Sequence, residues 1–280
     1  MKQFFQKLSR RKTATVGLII LLLVVLLAIT APVLVPVDPM EQNIEWRLKP
    51  PGWVNEDGVK YWLGTDQLGR DILSRVMYGS RVSILVALGA VFIGGTIGLI
   101  VGLVSGYSGG RIDSVLMRIV DMQLAFPFLL LALTMVTILG PSIMNVVLVL
   151  SVTSWISYAK VVRSSVLSIK HLEFIEATRA AGTSKISIVF RHILPNVMSP
   201  FIVVASFQVA TLIIAESSLS FLGLGVPASE PTWGAMLADG REYMSNAWWI
   251  AVFPGLMLML VAMSANLFGD GLRDALDPNG

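Results

Sequence analysis

The run VSILVALGAVFIGGTIGLIVGLVSGYSGG, residues 82–110, lies between Arg81 and Arg111 without one charged side chain. A helix crossing the hydrocarbon of a bilayer needs about 20 mostly apolar residues, so this run is long enough to span it. Within the run, Ala90, Gly94, Gly98, Gly102 and Gly106 recur at four-residue steps. Such positions share one helix face, where small side chains let a second helix approach closely. Close packing is the preferred reading of the stripe; a place on a transport pathway stays open for it.

The rest of the chain has the same character. It has 280 residues, 55% hydrophobic and 14% charged, with mean hydropathy +0.74, whereas soluble domains carry roughly 25% charged residues. Four further uncharged stretches stand out. Ala14 to Val35 follows Lys2, Lys7, Arg10, Arg11 and Lys12; it exceeds the roughly 7–15 residues of a signal-peptide core and reads as a retained anchor. The interval from Asp121 to Lys160 accommodates two short spans, broken at Gly140-Pro141-Ser142, where proline removes a donor and glycine permits reversal. Asn196 to Ala215 and Trp248 to Phe268 complete a predicted count of six membrane helices in an all-α chain.

Lysine and arginine are retained on the cytoplasmic side. Five basic residues and no acid precede the first span, and Lys160, Arg163, Lys170, Arg179, Lys185 and Arg191 face only Glu173 and Glu176 between the fourth and fifth. Both segments are therefore predicted to be cytoplasmic. Asp38 to Arg81 is charge-balanced and Glu216 to Glu242 is acidic, so both are predicted to face outward. An even number of crossings then places both termini inside. The chain divides into 1–36, an N-terminal cytoplasmic segment with the first span; 37–81, an outward loop; and 82–280, a core of five spans with a cytoplasmic loop at 168–195.

That loop is neither a tight turn nor a domain. Lys170 to Ala181 are good helix formers and Gly182 is a natural stop. Ser184 can cap a second helix in which Ile186, Val189, Phe190 and Ile193 recur at helical spacing, and Pro195 is expected to mark a bend into the fifth span. Two short helices at the membrane surface are predicted, and an amphipathic hairpin without a partner would look the same.

Glu176-Ala177-Thr178, then Gly182, then His192-Ile193-Leu194-Pro195 resembles the EAA loop of the permeases of binding-protein-dependent ABC importers. The resemblance implies the type I importer permease fold, and a coupling helix seated in a cytoplasmic ATPase subunit through Glu176, Ala177, Thr178, Gly182, Leu194 and Pro195. Thr178 stands where alanine is usual, and the isoleucine sits one place late, before Leu194. Leu63-Gly64-Thr65-Asp66 with Gly69-Arg70-Asp71 and Ser74-Arg75, the run Glu216 to Gly225 with Pro231 to Leu237, and the tail Asn266 to Pro278 resemble the C-type subunit of dipeptide, oligopeptide and nickel permeases. Asp66, Arg70, Asp71, Arg75 and Glu216 are the candidate outer-loop positions. Charged hydrogen bonds to a docking protein and a self-contained ion-pair network are equally open for them.

The resemblance implies a bacterial inner-membrane protein forming half of a pathway for peptides, nickel chelates, glutathione or related solutes. Its implied partners are a homologous permease, two ATPases and an external solute-binding protein. No catalytic residue, metal site or cofactor is expected in this chain, and no nucleic acid as partner; ATP and magnesium would bind the ATPases. The sequence agrees. It has no cysteine and no Gly-x-x-x-x-Gly-Lys-Ser/Thr cradle, and His171 and His192 lack zinc-pair spacing. Gly106-Tyr107-Ser108-Gly109-Gly110 fits a nucleophile-elbow pattern but ends a membrane span, where no strand-to-helix turn can hold it. The competing class is a stand-alone secondary transporter or channel, in which ionisable residues lie within the spans; here the charges cluster at span ends.

Overall fold

The structure, a computed structural model, describes residues 11–276. Lys2, Lys7 and Arg10 of the basic segment, and Asp277 and Pro278 of the tail motif, lie outside them. The helices are α1 (Lys12–Leu34), α2 (Ile72–Ser108), α3 (Gly110–Leu124), α4 (Phe128–Leu139), α5 (Ile143–Ile169), α6 (Glu173–Ala180), α7 (Lys185–Ile188), α8 (Leu194–Phe221), α9 (Trp233–Arg241) and α10 (Trp249–Leu276). A short hairpin pairs β1 (Trp53–Val54) with β2 (Lys60–Tyr61).

Among the described residues five helices are long and apolar enough to cross a membrane, and α3 with α4, bent by 87°, make a sixth if taken as one span. The twelve residues of α4 reach only about 18 Å, well short of about 30 Å of hydrocarbon. The third predicted span is thus a broken one, and Pro127 stands at its break. Gly140, at φ +82, turns the chain into α5, and Asn145 Nδ2 donates to the freed carbonyls of Leu139 and Gly140 at 2.9 and 3.1 Å.

Three predicted boundaries move. The second span begins at Ile72, ten residues before the predicted core boundary at 82, because Asp71 caps it: its carboxylate accepts from Ser74 N at 2.8 Å and Ser74 Oγ at 2.6 Å. Arg75 lies inside this helix and is buried against Asp66, so a charge does not end the span there. The fourth span runs past Lys160 to Ile169, with Arg163 held by Asp113 of α3 at 2.6 Å through both guanidinium contacts. In the loop at 168–195, α7 is no separate helix. It continues through a π turn at Val189–Ile193 into α8 as one 37-residue helix. Pro195 stands inside that continuous helix, directly after the wider turn in which Leu194 N donates to Val189 O.

The α2–α5 interface is the centre of the bundle. A Cβ on Gly94 would lie 2.6 Å from Ser154 Oγ, one on Gly102 2.6 Å from Val162 Cβ, and one on Gly106 2.7 Å from Val166 Cβ. Both helices number upward together, so they run parallel and both begin at the end that carries residues 36–71. At the opposite end Arg11 pairs with Asp274 at 2.7 Å, which brings the two ends of the described chain together.

Candidate functional site

At that terminal end α6 projects from the bundle. Its buried Ile175 joins Val162, Val166, Ile188, Ile193 and Val197 in one apolar cluster, so a single side chain seats it on α5 and α8. Gly182 ends it at φ +80 with nothing within 4 Å of a would-be Cβ; only backbone conformation demands glycine there. Glu176, Ala177, Gly182 and Pro195 are exposed, and Thr178 and Leu194 half-buried. Thr178 Oγ1 donates back to Phe174 O at 2.7 Å.

The apolar spacing from Ile186 to Ile193 divides between two faces. Ile188 and Ile193 are buried, while Ile186 is 73% and Phe190 62% exposed. With exposed Leu172 and Phe174 they give this end an apolar surface beside Glu176. Single-face periodicity hid it, because the seated face is chosen by α5 and not by spacing within the helix.

At the loop end the charged motif turns inward. Asp66 is fully buried and accepts from Leu68 N at 2.8 Å, Arg70 N at 3.0 Å, Arg70 Nε at 2.6 Å, and Arg75. The far sides of both guanidinium groups meet Asp239 of α9 at 3.3 and 3.5 Å. Asp71 is buried too, and burial pushes its carboxyl above the usual carboxylate range, against the pull of the Ser74 bonds. Of the two readings open for these residues, the observed arrangement is the self-contained network. Asp239 was not singled out from sequence; its position two residues beyond Pro231–Leu237 was the available signal.

Glu216 belongs to the same end but not to a loop. It lies inside α8, fully buried, where its carboxylate accepts from Ser220 Oγ at 2.7 Å, Ser83 Oγ of α2 at 3.1 Å and Ser217 Oγ at 3.3 Å. An ionisable group therefore does sit within a span, contrary to the expectation that charges keep to the ends. Around it the chain folds back on itself. Gly234 abuts Ser217, Thr232 caps α9, and buried Trp233 donates from Nε1 to Val76 O at 3.0 Å. The Glu216–Gly225 and Pro231–Leu237 motifs are thus the two halves of one clasp between α8, α9 and α2. Trp249 Nε1 donates to Thr65 O at 3.0 Å and fastens the 36–71 segment to α10 in the same way.

Among the described residues no group of three or more acidic or histidine side chains could hold a metal ion. Residues 94–279 match the model of the binding-protein-dependent transport system inner membrane component, and residues 1–51 that of the N-terminal TM domain of oligopeptide transport permease C. The chain is 41% identical to the di/tripeptide transport system permease protein DppC of Pseudomonas aeruginosa (strain UCBPP-PA14), over 99% of this chain and 92% of that one. It is 43% identical to the dipeptide transport system permease protein DppC of Alkalihalophilus pseudofirmus, over 99% and 89%. The fold is similar to an inward-facing structure of the MetNI methionine ABC transporter, with TM-score 0.59 and 22% identity over 74% of this chain and 98% of that one.

Proposed function

This chain belongs to the family of binding-protein-dependent transport system inner membrane components, and on that premise we propose that it is the half-pathway of a peptide importer, with di- and oligopeptides as solutes. It is a multi-pass permease of an ATP-driven importer in the bacterial inner membrane. The peptide reading is supported by its relatives, whose names are those of di- and tripeptide permeases.

The observation that carries the mechanism is α6: a short helix, seated by Ile175, ended by a left-handed glycine, and exposed through Glu176 and Ala177 beside Phe174, Ile186 and Phe190. We assign this surface to a cytoplasmic ATPase subunit. Because α7 is continuous with α8, a push on the docked surface reaches the membrane through a single rod. The chain itself would be non-catalytic, with ATP and magnesium bound by two ATPases. A homologous permease would complete the pathway and an external binding protein would deliver the solute. The positive-inside bias assigns α6 and the N-terminal segment to the cytoplasm, and six crossings bring the C-terminal end to the same side.

The test is affinity purification of the tagged chain in mild detergent, with mass spectrometry and ATPase assay, followed by peptide uptake in vesicles. A second permease with ATPases whose hydrolysis rises with peptide-loaded binding protein is expected. Glu176→Lys and Gly182→Pro should lose ATPase association. A lone chain that is active in transport would overturn the assignment.

A further inference from the structure

We propose that one face of α8, continued by the neighbouring half of α5, is the wall along which the solute passes, with Ser199, Thr211 and Ser218 as its polar contacts. This deepens the importer reading and rests on it.

Two open clefts lie on α8. One, of about 340 Å³, is lined by Ile214, Ser218 and Phe221 together with Leu237 of α9 and Leu258 of α10. The other, of about 460 Å³, is lined by Ser199, Pro200 and Val203 with Val161 of α5 and Arg273 of α10. At about 100° per residue Ser199, Val203, Thr211, Ile214 and Ser218 fall within roughly 120° of arc, so the clefts share one helix face. Ser199 and Ser218 are separated by about 28 Å of rise, close to the roughly 30 Å of hydrocarbon. The face therefore carries a hollow at each membrane boundary, with exposed Thr211 between them.

Hydroxyls alone do not separate this face from the outer surfaces of α1 and α2; its flank on α5 does. The outer surfaces of α1 and α2 show Leu22, Leu26, Ile29, Leu85, Phe92 and Ile100, interrupted at mid-depth of α2 by Thr96, whose hydroxyl is turned back onto Phe92 O at 2.7 Å. Thr211 and Ser218 likewise donate back, to Phe207 O and Ile214 O at 3.3 and 2.7 Å, and each oxygen keeps lone pairs for an incoming N–H. What the lipid faces lack is the flank on α5. Ser157 and Ser164 are exposed around Val161, with Lys160 exposed beside them at the terminal boundary. Hydroxyls that accept from backbone amides, in hollows with few bulky polar groups, suit peptides irrespective of side chain. Lys160 and Arg273 at the terminal end suit a leaving carboxylate.

The chain has no cysteine, so single thiols can be placed without background from it. Ser199→Cys, Thr211→Cys and Ser218→Cys, with Phe92→Cys and Ile100→Cys as lipid-facing controls, are made in the complete importer in vesicles and treated with a charged methanethiosulfonate. Thiolates form and react only where water reaches, so the α8 thiols should react on the order of tenfold or more faster than the controls. Their modification should also stop peptide uptake, with uptake by the control variants intact. Rates at Thr211→Cys and Ser218→Cys no faster than at Phe92→Cys would overturn the proposal. Failure of the unmodified importer to take up peptide would instead overturn the solute reading, and the reaction rates would still report on the wall.

Discussion

Replacing Asp66 by alanine is the sharpest perturbation of the loop end. Its carboxylate is the shared acceptor of Arg70 and Arg75, and all three side chains are buried. Without it the two guanidinium groups keep only Asp239, at 3.3 and 3.5 Å and 34% exposed, and the amides of Leu68 and Arg70 lose their acceptor. Removing one partner from a buried ion pair costs about 3–5 kcal/mol, mostly from the charge left behind. For a chain of this size about 1 kcal/mol moves a thermal midpoint by roughly 2–4 °C, so the expected drop is on the order of 6–20 °C. The matched control is Asp274→Ala, which removes the Arg11 pair, 59% and 40% exposed; an exposed pair is worth about 0–1 kcal/mol. Fluorescence-detected thermal unfolding of the purified complex reads both. Equal, small shifts in the two variants would refute the reasoning and return Asp66, Arg70 and Arg75 to the role of surface groups.

Gly182→Ala meets no neighbour but forces a side chain into left-handed backbone, at about 1–2 kcal/mol; binding-protein-stimulated ATPase activity should fall while membrane yield holds. Gly102→Leu drives a side chain into Val162 and Ala159, an overpacking worth roughly 1–3 kcal/mol, and should lower the thermal midpoint of the complex. Phe190→Ala, at a 62% exposed position, should weaken recovery of the ATPases without shifting that midpoint, whereas Ile175→Asp, in the buried cluster beneath α6, should do both.

Much of the bundle is legible from sequence because a membrane span is a local property: length and apolarity of one segment decide it without reference to the others. Ala14–Val35 and Trp248–Phe268 lie close to α1 and α10 for that reason. The cuts at Arg81 and Lys160 misled, since a helix can run on past a charge whose side chain stays exposed, and Arg75 and Arg163 beyond those cuts are held by the carboxylates of Asp66 and Asp113. Gly182 and the Ser184 cap were also legible, because backbone handedness and a side-chain cap are settled within a few residues.

The sequence by itself determined an all-α membrane chain, the reversal at Gly140, the helix stop at Gly182 and the motifs of an importer permease. Tertiary structure alone decided that Asp239 meets Arg70 across 169 positions, that Glu216 is enclosed by hydroxyls, and that Ile186 and Phe190 point away from the cluster holding Ile188 and Ile193. The physical reason is common to all three. Whether a charge is paired, or an apolar side chain covered, depends on atoms brought by another segment, and spacing within one helix carries no record of them.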